Sequence, residues 1–391
     1  MKQADELIAR GRQAGRLAID TEFMGEGRYR TLLCLIQLAV PEQPGDETIA
    51  LLDPLDQQVR LDALAGALAD PEVRVVVHAG RQDIALLRRE LGCEVSNVFD
   101  TQVAAGFAGL GAQVSYDSLL TDVLGLRVAK TASFTRWDQR PLSAEQLAYA
   151  REDVVHLLEL AAELERRLQD RGRLEWALEE CRPLEAVSDK RDTQAIFERL
   201  PRVGGLNASA RAVAHELVEW RERTAERQDR PVQSVLSDAG LIELARRRPA
   251  STEDLGRIRG IGASSQGRRA HELLDVVARA RKRPEEPPVQ NGRPAPPKAE
   301  DLPLVALAEA LVRTRAREAG LAYELLAAKA DLQAIVGGLR GGSGEPADVR
   351  TLRGWRAELV GEELLDLLEG RLRLSVALKG NARRLRVEGT G

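Results

Sequence analysis

Cysteine is scarce in this chain, aromatic residues make up only 3% of it, and no apolar run is long enough to cross a bilayer. The 3 cysteines, Cys34, Cys93 and Cys181, are odd in number and far apart, which argues against a disulfide framework or a thiolate metal site. The 4 histidines, His78, His156, His215 and His271, show no zinc-like spacing. A membrane span needs about 20 consecutive apolar residues. Neither that nor a signal-peptide core is present, so the expectation is a soluble protein of a reducing, cytoplasmic compartment with no membrane partner. Lysine is also rare, 7 residues against 50 arginines, a bias to which we attach no function. Excess charge of one sign is missing as well. A net charge of −4 does not by itself point to a nucleic-acid partner.

What is there is enough for two to four domains at roughly 100–200 residues each. The charge distribution says more than the total. Residues 1–205 carry 25 basic and 34 acidic side chains, 206–283 carry 16 and 11, and 284–391 carry 16 of each. An acidic module joined to a basic one suits a metal-dependent site with an auxiliary polyanion grip, although solvated helix faces would produce the same asymmetry.

Strand-like and helix-like patterns alternate in the first 170 residues. Strands are expected at 17–22, 32–40, 48–52, 73–78 and around 95–99, and helices near 2–14, 59–70, 83–91, 101–109, 116–125 and 144–170. This is an α/β domain with a mixed central sheet flanked by helices. From about residue 171 only helices are expected, with breaks at Asp229-Arg230-Pro231, Arg248-Pro249 and Gly260-Ile261-Gly262. The expected division is a catalytic domain at 1–175, a helical connector at 176–205, a helical unit at 206–283, a Pro-rich linker at 284–300, a second helical unit at 301–375 and a basic tail at 376–391.

Three local signals carry chemistry. Leu17-Ala18-Ile19-Asp20-Thr21-Glu22-Phe23 is an apolar run that ends in two carboxylates. On a β-strand, Asp20 and Glu22 share a face roughly 6–7 Å apart. Buried unpaired, they repel, and a divalent cation relieves that; a turn-starting Asp20 beside a solvated Glu22 would read the same in isolation. Val75-Val76-Val77-His78-Ala79-Gly80-Arg81-Gln82-Asp83 is a buried strand, a small-residue turn, and Asp83 at a helix start, where it could equally be a cap. Ser143-Ala144-Glu145-Gln146 has the form of a capping box. On the helix it opens, Tyr149 and Asp153 stack one turn apart, with His156 a helix-face residue beyond them. Four carboxylates without basic partners suit a pair of hard divalent cations, and two such ions can drive phosphodiester hydrolysis.

In this order, Ile19-Asp20-Thr21-Glu22-Phe23, His78 to Asp83 and Tyr149-Ala150-Arg151-Glu152-Asp153-Val154 resemble the three motifs of the DEDD exonuclease superfamily, and more narrowly the ribonuclease D family. Supporting stretches are Leu35-Ile36-Gln37-Leu38-Ala39, Val98-Phe99-Asp100-Thr101-Gln102 and Trp137-Asp138-Gln139-Arg140-Pro141-Leu142. A tyrosine four residues before the last aspartate, with Ala148 one position earlier, marks the tyrosine subclass. Glu219-Trp220-Arg221-Glu222-Arg223, Leu244 to Pro249 and Ile258-Arg259-Gly260-Ile261-Gly262 resemble a helicase-and-ribonuclease-D C-terminal (HRDC) domain, with Gln266-Gly267 departing from the aromatic often found before that glycine. Residues 301–370 look like a second, degenerate copy.

The resemblance implies a ribonuclease H-like exonuclease domain followed by two all-α HRDC-like domains. It implies two cations, Mg²⁺ or Mn²⁺, held by Asp20, Glu22, Asp83 and Asp153, a water oriented by Tyr149, and Phe23 wedged on the terminal base or else packed as core. The implied activity is 3′→5′ exoribonucleolytic release of nucleoside 5′-monophosphates from RNA with a free 3′ end, such as transfer-RNA precursors. No obligate protein partner is implied. Arg257, Arg259, Arg268 and Arg269, around a glycine turn, are candidate phosphate contacts or plain surface residues. The turn is not a phosphate loop, since it lacks the Lys-Ser/Thr ending and a preceding strand. Trp220 and Trp355 are read as core anchors. A DNA 3′→5′ exonuclease, or an inactive nucleic-acid-binding scaffold, are the competing readings.

Overall fold

The computed structural model describes residues 2–41, 48–127, 136–258, 261, 267–282, 298–340, 348–379 and 382–390. Most of the expected Pro-rich linker, and Arg259 and the turn beyond it, lie outside the described residues. Helix α1 (Lys2–Gln13) leads into β1 (Arg16–Met24), whose Leu17, Ala18 and Ile19 are fully buried. A hairpin returns the chain as β2 (Leu32–Ala39), and β3 (Ile49–Leu52) adds a further antiparallel strand. The next two strands arrive by helical crossovers and are parallel: α2 (Asp62–Leu68) precedes β4 (Arg74–Val77), and α3 (Arg81–Leu91) precedes β5 (Val98–Asp100). The order β3-β2-β1-β4-β5 is the expected mixed sheet. β4 pairs with β1 only at Arg16, Leu17 and Ala18, so the Asp20–Met24 end of β1 runs on beyond the carboxyl end of β4. That is where open α/β sheets offer a crevice.

Helices α4 (Thr101–Phe107), α5 (Tyr116–Leu119), α6 (Ala144–Val155), α7 (Leu157–Asp170), α8 (Leu174–Glu185) and α9 (Thr193–Arg199) complete the first half. The single helix expected over 144–170 is two. His156 (φ −105°, ψ 2°) breaks it, leaving α6 and α7 free to take different directions over the sheet.

The next unit comprises α10 (Ala208–Gln228), α11 (Val232–Val235), α12 (Asp238–Arg247), α13 (Thr252–Gly256) and α14 (Gly267–Ala280). Its breaks at Asp229 and Arg248 fall where expected, and both residues are left-handed, φ 43° and 48°. The same succession of long, short, medium, short and longer helical pieces recurs in α15 (Leu302–Ala319), α16 (Tyr323–Leu326), α17 (Lys329–Arg340) and the final stretch of α18 (Gly354–Arg356) continuing into α19 (Glu362–Leu368).

The expectation of helices alone after residue 171 is wrong for the chain's last segment. β6 (Leu372–Lys379) and β7 (Ala382–Gly389) form an antiparallel hairpin. Leu372, Leu374, Val376 and Leu378 alternate with other residues at the period of a strand, a signal that the segment's basic character obscured.

Three large cores, beside a small one of Cys34, Leu35, Trp137 and Ala150, organise the described residues. One lies under the sheet among Leu7, Ile19, Ile36, Leu64 and Ile84. A second fills α10, α12 and α14 and is closed by Phe197 of α9. The third begins on the other sheet face with Phe99, Phe107 and Leu164 and continues unbroken into Leu311, Leu326 and Leu364 of the last helical unit. Trp355 is the joint. Its ring meets Phe107 edge-on at 5.0 Å and stacks on Trp176 at 5.2 Å. Trp220, as expected, is buried within its own unit.

Candidate active site

Strand period puts Asp20 and Glu22 on one face of β1, opposite Gln37 and Leu35 of β2, just before the register shifts between Glu22 and Phe23. Phe23 itself is half-buried at the strand's end. Asp83 comes from the first turn of α3, but it does not cap that helix. The cap is Gly80, without a side-chain hydrogen bond, and the buried Asp83 carboxylate instead accepts a short bond from the Thr21 hydroxyl. The preceding turn explains how it arrives there. Ala79 is left-handed (φ 52°), and the amides of Ala79 and Gly80 donate to Asp100 at 3.0 and 2.9 Å. A Cβ on Gly80 would stand 2.5 Å from that of Val77, so only glycine lets the turn close over β4.

α6 supplies the remaining pair. Ser143 accepts from the Gln146 amide at 3.2 Å while the Gln146 side chain accepts from the Ser143 amide at 2.9 Å, the expected capping box. Burial of Ala150 and Val154 against the sheet turns Tyr149 and Asp153 toward β1. Trp137, buried, lies 6.1 Å from the Tyr149 ring, and Arg140 ties the segment down through the carbonyls of Cys34 and Trp137 and both oxygens of Asp53.

The electrostatics show that these groups meet. Burial, then the charges of Asp83, Asp153 and Glu22, hold the Asp20 carboxyl well above the carboxylate range. Burial and then Asp153 and Asp83 push Glu22 up to about 8. Asp153 rises to about 7 through burial and then the nearby Asp117 and Glu152. Asp83 is raised by burial, with the Thr21 bond opposing. The Tyr149 phenol is raised by burial and then by Asp153, Glu22 and Asp20. Tyr116, a second buried phenol, is raised by burial and then by Asp153. None of the four carboxylates forms an ion pair with an arginine or lysine among the described residues.

The carboxylates stand near enough to feel one another without closing to coordination. Among the described residues, no group of three or more His, Cys, Asp or Glu side chains is arranged to hold a metal ion. Uncompensated anions repel. The donor set is nevertheless all oxygen, anionic and without a protein cation, which fits a hard divalent ion.

Residues 1–169 match the family model described as a 3′-5′ exonuclease, and residues 210–277 match the HRDC domain. Ribonuclease D of Gluconacetobacter diazotrophicus is 36% identical over 376 residues, 95% of this chain and 92% of that one. The chain belongs to the ribonuclease D family. Ribonuclease D of Granulibacter bethesdensis is 35% identical over 365 residues, 92% and 89% of the two chains. The crystal structure of Escherichia coli RNase D, an exoribonuclease involved in structured RNA processing, superposes with a TM-score of 0.78 at 27% identity and covers 94% of this chain and 97% of that one. Membership of the ribonuclease D family makes the chain a 3′→5′ exoribonuclease, and the chemistry of that family depends on divalent cations.

The described candidate arginines are engaged within their own helical unit. Arg257 pairs with Glu253 at 2.5 Å, Arg268 with Glu272 at 3.1 Å, and Arg269 donates to Gln228 at 3.2 Å. Sequence reasoning assigned no role to Thr21, Gln37, Asp100, Trp137, Arg140 or Tyr116. Four of these, Gln37, Asp100, Trp137 and Arg140, lie in the quoted supporting stretches, and Asp100 just before a helix was a legible capping signal.

Proposed function

We propose that Asp20, Glu22, Asp83 and Asp153 hold two divalent cations, Mg²⁺ or Mn²⁺, and that the enzyme trims the 3′ ends of structured RNA such as transfer-RNA precursors. One observation carries the reading: Asp83 from a helix start and Asp153 from a helix interior lie close enough to β1 to add to burial in raising the Asp20 and Glu22 carboxyls, and none of the four pairs with an arginine or lysine among the described residues. Bound divalent cations supply an activated water at neutral pH and charge for the departing oxygen.

The chain's own residues do the rest. Asp20, Glu22 and Asp153 orient the attacking side, and Asp83, steadied by Thr21, faces the leaving side. Tyr149 keeps its proton, because its phenol is raised, and donates a hydrogen bond that aims the water rather than taking its proton. Phe23 stacks on the terminal base, and cleavage releases nucleoside 5′-monophosphates. Arg257, Arg259, Arg268 and Arg269 guide the phosphate backbone by charge. The division into an exonuclease domain at 1–175, a connector, an HRDC domain at 206–283 and a second HRDC-like unit at 301–375 is supported by the repeated helix succession.

End-labelled RNA and DNA of matched sequence, incubated with Mg²⁺ or Mn²⁺ and then with chelator, test the whole reading. The expected products are monophosphates from the 3′ end of RNA, abolished by chelator. Cleavage that persists in chelator, or that prefers DNA, refutes it.

A further inference from the structure

A buried polar side chain with nothing to bond is costly, and most such groups are found paired. Gln37 is an exception. It is fully buried, and neither its amide nitrogen nor its amide oxygen has a partner among the described residues. Leaving such a group unpaired costs about 1–3 kcal/mol that a leucine in its place would not. The register fixes its surroundings. Along β2, the buried Leu35 and Ala39 flank it on the same face, and Leu51 stands opposite on β3. Helix α6 covers that face with the buried Ala150 and Val154. These side chains are all apolar and offer the amide nothing to bond.

The polar neighbour is Asp20. It stands directly across the strand pair from Gln37, with Glu22 opposite Leu35 and Ala18 opposite Ala39. Directly opposed residues share a face with their Cβ atoms about 4.5–5.5 Å apart, a gap that a glutamine amide and an aspartate carboxylate can close between them. On its other side Asp20 has no strand, because β4 pairs with β1 no further than Ala18. The carboxylate therefore lies between the crevice and one uncharged amide. An ionised carboxylate only accepts, so in this pair the amide N–H donates. A neutral donor steadies the carboxylate without cancelling the charge that a cation needs, which an arginine at this position would do. Asp83 is held in the same manner, by the Thr21 hydroxyl.

We propose that Gln37 is a positioning residue for the reaction: its amide donates to the Asp20 carboxylate and holds it in the orientation that takes up divalent cations. Enclosed behind the strand pair, Gln37 touches neither the RNA nor the reacting atoms and acts through Asp20 alone. The amide is kept at the expense of the unloaded fold because the loaded site uses it. The inference rests on the two-cation reading of the carboxylates, and the test separates the two.

The test variant is Gln37→Met, which keeps the length of the side chain and removes the amide. Leu35→Met, a volume-conserving change at the next position on the same face, is the control. On the full chain, Mn²⁺ binding is measured by calorimetry without RNA, turnover on an end-labelled RNA, and melting in chelator. Removing a group that orients a metal ligand costs about 10–100-fold in affinity or activity. Gln37→Met accordingly weakens Mn²⁺ binding and lowers kcat by about 10-fold or more, leaves KM unchanged, and melts no lower than the parent in chelator. Leu35→Met binds Mn²⁺ and turns over as the parent does. A loss shared equally by Leu35→Met, a rise in KM with kcat unchanged, or a lower melting temperature of Gln37→Met in chelator would overturn the proposal. Mn²⁺ that binds the parent and Gln37→Met equally ends the role of Gln37 alone. A parent that binds no Mn²⁺ and leaves RNA intact sinks the two-cation reading, and the role of Gln37 with it.

Discussion

Asp83 illustrates how one residue carries two plausible readings until its neighbours are known. Near a helix start it looks like a cap; in the fold, Gly80 takes that place and Asp83 turns inward to Thr21. Replacing Asp20 with Asn removes a charge at the centre of the cluster. Turnover should fall by at least about 10²–10³, the cost of losing one preorganised electrostatic group, while the melting temperature in chelator rises because a repulsion is gone. Near-normal turnover in that variant would sink the site assignment. Gln37 offers a sharper case. It is 0% exposed, lies across the strand pair from Asp20, and neither atom of its amide finds a partner among the described residues. Gln37→Leu should therefore stabilise the cation-free protein by about 1 kcal/mol or more yet lower turnover, as read by calorimetry and by cleavage assays together. The raised carboxyls also set a pH dependence. With Glu22 at about 8 and Asp153 at about 7, the folded cation-free protein keeps protons that the unfolded chain has released. Stability should thus fall as pH rises from the ordinary carboxylate range through about 8. Mg²⁺ should reverse the loss most at the upper end, which a melting series in chelator and in Mg²⁺ reads directly.

Among the elements, the β1–β2 hairpin has a load beyond its carboxylates. Its turn reaches α10: Tyr29 donates to the buried Glu222 at 3.0 Å, Arg191 donates to the same carboxylate at 2.5 Å, and Arg28 pairs with Asp229 at 2.8 Å. Buried, Glu222 is stable only with those donors in place. Glu222→Ala should cost about 1–3 kcal/mol, seen as a lower denaturation midpoint, whereas Arg28→Ala, in an exposed pair, should cost less than about 1 kcal/mol. Equal costs would show that the latch is only a surface contact. The strand and helix periods were legible in β1, β4 and α10, since each repeats one pattern against one core. The break at His156 and the final hairpin were not. Both are decided by what the segment lies against: the sheet for α6 and α7, and α19 for the hairpin's Leu372 and Leu374.

At the scale of the molecule, the last helical unit is not an appendage. Leu311, Leu326, Trp355 and Leu364 belong to the same core as Phe107 and Leu164. A fragment ending at residue 205 would expose that apolar face, and we expect it to aggregate or melt well below the full chain. A soluble fragment with the parent's melting temperature would contradict the shared core. The auxiliary grip is therefore better tested by substitutions on the full chain than by truncation.

The sequence alone determined the order of the motifs and the mixed sheet, and it singled out Asp20, Glu22, Asp83, Tyr149 and Asp153 as candidates, because strand and helix periods and residue spacing are local facts. Only the tertiary structure decided that Thr21 and Asp100 set Asp83 in place, that Gln37 is enclosed beside Asp20, and that Trp355 joins two units. Those depend on contacts between residues far apart in the chain, where the cost of burying a polar group or leaving an aromatic face bare is settled only by what comes to lie against it.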